Sequence, residues 1–122
     1  MNLKESFVKL AVKVQQDLAG IHWAKAVIKI IRFDGTVRFE GEYNDRSDDL
    51  TKNMEVNFGF WEARVVHNIY KITTCEPPVH KDWNRAIFTL YPDNKFEIEY
   101  IWDQQLQDEV DAYNNGKEES SQ

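Results

Sequence analysis

The chain of 122 residues has one cysteine, Cys75. That excludes an intrachain disulfide and any cysteine-based zinc site built from this chain alone. No apolar run approaches the ~18 residues a membrane-spanning helix needs. Met1 to Lys13 alternates charged and apolar residues and lacks the continuous apolar core of a secretory signal. These absences predict a cytoplasmic protein without a membrane partner. Basic residues are also in deficit. The net charge is -6 and the pI is near 5.0, so no nucleic-acid partner is expected, because phosphate neutralisation needs a basic face.

What is present is apolar and aromatic: 42% hydrophobic and 13% aromatic residues. This is enough for one core, and the length suits a single domain over residues 1–116, followed by a flexible tail over 117–122. The charge is unevenly placed. Residues 1–74 hold eleven Lys and Arg against ten Asp and Glu, whereas residues 75–122 hold four against eleven, a balance of -7. A basic protein partner is therefore favoured.

Periodicity predicts the elements. Phe7, Leu10, Ala11, Val14 and Leu18 recur at helical spacing, with Gly20 as the stop. Residues 24–33 are rich in Val and Ile, and Asp34-Gly35 is a strong hairpin signal before the alternating segment Thr36 to Tyr43. Gly41 occupies the apolar register there and marks a bulge or a close approach. Residues 44–53 are polar and read as a loop, while Met54, Val56, Phe58 and Phe60 alternate as a short third strand. Trp61, Val65, Ile69 and Ile72 predict a second helix to about residue 73, stopped by Pro77-Pro78. A second hairpin follows, 83–91 and 96–102 around Pro92-Asp93-Asn94-Lys95. A short acidic helix then starts at Asp103 and ends at Asn114-Asn115-Gly116. The order is α-β-β-(β)-α-β-β-α. It predicts an α+β fold with a mainly antiparallel sheet of four to five strands and helices packed on one face.

Signals for chemistry are few. Cys75 follows a helix C-terminus, where the dipole opposes a thiolate. His22, His67 and His80 show no metal-ligand spacing, and there is no nucleotide-binding glycine loop. Asp45, Asp48 and Asp49 lack the glycine and glutamate positions of a calcium loop. Glu97 and Glu99 share one strand face roughly 6–7 Å apart, a spacing open to paired-carboxylate chemistry but ordinary for a solvated sheet face. No cofactor or metal follows from these residues. A hydrolase built on the histidines or Cys75 stays as the weaker alternative. An adaptor or subunit that binds another protein is the other.

The carboxyl-terminal third combines carboxylates with aromatics, a composition suited to a basic protein surface. Tyr91 and Trp102 are the expected packing anchors, and Glu97, Glu99, Asp103, Asp108, Glu109 and Asp111 the expected charges. The segment from Trp83 to Asp103, with its Trp, apolar strand, Pro-Asp-Asn-Lys-Phe turn and aromatic-x-aromatic-Asp ending, resembles the closing hairpin of the YezG-like immunity protein family. Asn94 stands where glycine is common, and asparagine also tolerates positive φ. The resemblance covers about one-sixth of the chain. It implies a non-enzymatic antitoxin of polymorphic or contact-dependent toxin systems. Such a protein neutralises the carboxyl-terminal domain of its cognate toxin, often a nuclease, inside the bacterial cytosol.

Overall fold

The computed structural model describes residues 2–74 and 82–120, with side chains through residue 115. Its elements are α1 (Leu3–Asp17), β1 (Trp23–Phe33), β2 (Thr36–Asp45), β3 (Leu50–Met54), α2 (Phe60–Thr74), β4 (Arg85–Leu90), β5 (Phe96–Ile101) and α3 (Gln104–Ser120). The five strands form one sheet in the order β3-β2-β1-β4-β5, and every neighbouring pair is antiparallel. The α+β class and element order are those the sequence predicts.

Local chemistry fixes the elements. Asn2 caps α1, its Oδ1 accepting from Glu5 N at 2.8 Å, and Gly20 after the helix has φ +82°. Asp34 and Gly35 both take positive φ, 51° and 76°, the pattern of a two-residue primed turn that suits the right-handed strand twist. Asn94 takes φ 69° in the second hairpin. Tyr91 O accepts from Asn94 N and Tyr91 N donates to Lys95 O, closing that turn.

The inner sheet face carries Ala26, Ile28 and Ile30 of β1, and Ala86, Phe88 and Leu90 of β4, all essentially buried. Against them lie Phe7, Leu10, Ala11, Val14 and Leu18 from the first helical segment and Val65, Val66 and Ile69 of α2. Each large side chain so buried stabilises the fold by roughly 1.5–3 kcal/mol. The two helices are joined by a polar contact, Asn68 Nδ2 donating to Ser6 Oγ at 3.0 Å. Trp83 is buried and donates from Nε1 to Thr73 Oγ1, which keeps its polar tip satisfied within the core.

Three expectations are corrected. The third strand is Leu50–Met54, all but Met54 of it inside the segment predicted as loop, and residues 55–59 are not strand. An edge strand is held by its backbone ladder to β2, so Thr51, Lys52 and Asn53 need no apolar alternation. The alternation of Met54, Val56 and Phe58 serves another end, because this segment folds back over β2. Phe58 meets Phe39 edge-on at 4.8 Å between centroids, and Val56 covers Gly41. A Cβ at Gly41 would stand 2.5 Å from Val56 Cγ2, which makes Gly41 a position of close approach. The third helix does not stop at Asn114-Asn115-Gly116 but runs to Ser120. An interior glycine costs a helix only ~1 kcal/mol, and no proline follows to break it. Trp61, expected on the buried stripe of α2, is 71% exposed beside Phe60 at 72%.

Candidate protein-binding surface

The outer sheet face carries two of the expected charges, Glu97 and Glu99. Strand register sets its rows. Glu99 lies opposite Ile87, Ile87 opposite Lys29, and Lys29 opposite Glu40. In the next row Glu97 faces Thr89, Thr89 faces Val27, and Val27 faces Glu42. Glu97 and Glu42 are therefore three strand spacings apart, roughly 14 Å. Half-buried Val27, Ile87 and Thr89 form the centre together with exposed Lys29, and Glu97, Glu99, Glu40 and Glu42 flank it, Glu40 in an ion pair with Arg38 at 3.5 Å. α1 and α2 cover the opposite face, as expected of the helix layer. α3 instead borders an open cavity at one end of the outer face, where Leu106, Glu109, Val110 and Tyr113 stand near Ile31, Arg38 and Arg85.

Not every expected residue is available to a partner. Asp103 is engaged on both oxygens: Oδ1 accepts from Leu106 N at 3.1 Å as the N-cap of α3, and Oδ2 accepts from Arg85 Nε at 2.6 Å. The Leu106 amide and the Arg85 guanidinium hold its carboxyl below the usual range. Asn84 brackets the same residue, donating to Asp103 O and accepting from Asp103 N. Asp103 thus fixes where α3 starts. Asp108 and Asp111 accept from Gln104 and Gln107 one turn earlier and stay exposed with Glu109. Tyr91 and Trp102 sit beyond opposite ends of β5, whose six residues span roughly 17 Å, so the two are not brought together. Tyr91 lines an open hollow with Ala24, Arg46 and Phe96. Trp102 is 43% exposed, with its indole N–H on Gln104 Oε1.

Other polar groups are consumed within the fold. Lys52 bridges Asp45 Oδ2 at 2.9 Å and Asp48 Oδ2 at 2.8 Å, and Asp45 also accepts from Ser47 through its amide and hydroxyl. These hydrogen bonds, the Ser47 hydroxyl first, hold the Asp45 carboxyl down to about 2. This loop therefore organises the β2–β3 turn. Arg32 lies 3.3 Å over the Tyr70 ring and donates to Trp83 O, while the Tyr70 hydroxyl donates to Asp82 at 2.6 Å. Burial pushes the Arg32 pKa down, and the Asp82 bond pushes Tyr70 up. Among the described residues no group of three or more His, Cys, Asp or Glu is placed to hold a metal. His22 is exposed at the α1–β1 junction and His67 lies half-buried on α2. Cys75 and His80 lie outside the described residues.

Sequence reasoning missed Glu40 and Glu42 as partners of the β5 carboxylates. The signal was present in the alternation of β2, but only pairing order reveals that β2 and β5 flank a common face. It also missed Phe60, Trp61 and Arg64, an exposed group in which the guanidinium lies 5.7 Å from each ring. Among the described residues no helix is long and apolar enough to cross a membrane. No protein-family model matches this chain, and no curated protein matches it.

Proposed function

We propose that this protein is an immunity protein that binds and neutralises a basic toxin domain, a nuclease being the chemistry that fits best. The observation that carries the reading is the outer sheet face: half-buried Val27 and Ile87 beside exposed Lys29, with Glu97 and Glu99 outside any ion pair among the described residues at the β5 edge, Glu42 and the Arg38-paired Glu40 on β2, and the acidic α3 beyond. An apolar patch with a charged rim is the usual anatomy of a protein interface. A nuclease cleft is cationic because it must attract phosphate, and opposite potentials raise association rates toward roughly 10⁸–10⁹ M⁻¹s⁻¹ at low salt. Rapid capture matters for an antitoxin. Inhibition then requires only occupation of the surface and no bond chemistry in this chain.

The test is calorimetric titration with a candidate toxin domain, sought first among genes neighbouring the one for this chain. Tight binding that weakens with salt is expected, together with a flattened salt dependence when Glu97, Glu99 and Glu109 are reversed to lysine. No binding, or a toxin with an acidic surface, defeats the reading. The adaptor alternative draws on the exposed Phe60-Trp61 pair, which lies on α2 and away from the carboxylates. If Phe60→Ser/Trp61→Ser abolishes partner binding and the charge reversals do not, the adaptor reading replaces the first.

A further inference from the structure

We infer that β5 is a docking edge that accepts an extended strand of the partner, with basic and apolar residues alternating along it. The inference rests on the immunity reading and deepens it by naming the mode of recognition. β5 stands at one edge of the sheet, pairing with β4 and with no strand beyond it among the described residues. The bond from Tyr91 N to Lys95 O sets the alternation of the β4–β5 ladder. Residues 97 and 99 then direct their main-chain groups to β4, and the N–H and C=O of Phe96 and Ile98 face away from it. An added strand can use these outward groups without disturbing the existing ladder.

The two sides of this edge differ in chemistry. On the outer side Glu97 and Glu99 are exposed, and neither has an ion-pair partner among the described residues. On the inner side an open apolar groove runs between α1 and the start of β5. It is formed by Val8, Ala11, Val12 and Phe96, with Val8 48%, Val12 50% and Phe96 37% exposed. Gln15 closes its end by donating to Asn94 Oδ1 at 3.0 Å. In an antiparallel addition that bonds through Phe96 and Ile98, the residues facing Glu97 and Glu99 occupy non-hydrogen-bonded positions, where side chains approach most closely. Lysine or arginine belongs there. The intervening residues point inward over the groove and must be apolar.

The same geometry argues against a second copy of this chain as the occupant. Any antiparallel register of β5 on itself centred at residue 97, 98 or 99 sets a glutamate opposite a glutamate. Directly opposed like charges destabilise a strand pair. A basic strand is selected by the same carboxylates that reject self-pairing.

The experiment uses the full chain, labelled with nitrogen-15, and a hairpin peptide of about twelve residues with Lys and Val alternating around an Asn-Gly turn. Controls are a permuted peptide of the same composition and a version with Glu for Lys. Hydrogen exchange at the Phe96 and Ile98 amides is expected to slow about tenfold or more on binding the Lys-Val peptide, with the permuted peptide binding at least about tenfold more weakly. The Glu97→Lys/Glu99→Lys variant should exchange its preference for the Glu-Val peptide. Ile98→Pro removes an outward donor and leaves the β4 ladder its bonds, so it should lose binding while its amide spectrum stays dispersed; the charge-exchange variant decides the matter if Ile98→Pro does not fold. Equal binding of the permuted peptide or unchanged exchange at Phe96 and Ile98 would overturn strand addition, and dimers formed through β5 without peptide would overturn a basic strand as its occupant. If the toxin domain still binds in that event, the immunity reading survives; if the toxin domain does not bind at all, the immunity reading fails on its own test.

Discussion

The two edges of the sheet are built on opposite plans. At the β3 edge the charges are spent internally: Lys52 is clamped between Asp45 and Asp48, and Asp45 also ties down Ser47. The strand is short, with polar Thr51 and Asn53, and residues 55–59 fold back from it across Gly41. At the β5 edge the packing is aromatic and the charges are left over. Phe96 leans on Phe7 at 5.1 Å and on Phe88 at 5.6 Å, while Glu97 and Glu99 remain in solvent. Both plans avoid aggregation, since edge strands are blunted by charge or by cover. Only the second leaves exposed carboxylates outside any ion pair among the described residues, as the proposed docking requires. Charge neutralised at home contributes to the fold, and charge left unpaired is what the proposed docking would use.

The comparison is most severely tested where the β5 edge meets the core. Phe88 is fully buried beneath Phe96 and Phe7. Phe88→Ala should cost about 3–5 kcal/mol in urea unfolding. A loss under about 1 kcal/mol would mean that this edge does not depend on aromatic packing. The next effect belongs to the β3 edge. Gly41→Ala drives a methyl into Val56, and the rearrangement should cost about 1–3 kcal/mol. Pairing that substitution with Val56→Ala should recover most of the loss, which separates steric overlap from a backbone requirement.

A smaller effect is set by pH. The folded Asp45 carboxyl is held near 2, below its ordinary value of 3.8. A depressed carboxylate contributes stability that is complete above the unfolded value and is lost as pH falls through the folded one. The β3 edge should therefore weaken between about pH 4 and pH 2, Asp48, also depressed, acting in the same direction there and Asp103 doing so at the start of α3. Asp45→Asn should shrink this acid-side loss. The measurement is the urea midpoint against pH, and identical profiles for the two proteins would show that the Lys52 clamp is not what the acid breaks.

These regions also differ in how much of them could be read from the sequence. The β4–β5 hairpin was legible in its pairing and turn, because Phe96, Ile98 and Tyr100 alternate with Glu97 and Glu99 around a turn whose residues fit its geometry, while its strands, Arg85–Leu90 and Phe96–Ile101, are shorter than the 83–91 and 96–102 expected. The buried stripe of α1 was legible for the same reason. The β3 edge was not. Its five residues carry no alternation, since their ladder to β2 is made by backbone groups that every sequence possesses. The apolar alternation beginning at Met54 pointed to a strand, but it serves tertiary packing on β2. The third helix looked complete at Gly116 because turn residues signal a stop only when competing contacts take over. Of the proposed binding surface, the β5 carboxylates were visible as a local pattern. The β2 carboxylates and the structural duty of Asp103 depend on which strands become neighbours and on Arg85, information no local window contains.

The subtlest expectation concerns the carboxylates themselves. Glu97 and Glu99 lie on an exposed edge without ion pairs among the described residues, so replacing both with threonine should change unfolding free energy by no more than about 0.5 kcal/mol. Threonine even favours the strand conformation slightly. The consequence should instead appear between molecules. With the opposed charges gone, β5 can pair with its own copy across a two-fold axis, and the Val8, Val12 and Phe96 groove gains cover from that copy. Sedimentation over a rising protein concentration should show the threonine variant associating while the parent does not. A variant that stays monomeric under those conditions would mean that charge opposition is not the barrier at this edge, and that the twist of β5 or the side chains of α1 already exclude a second strand.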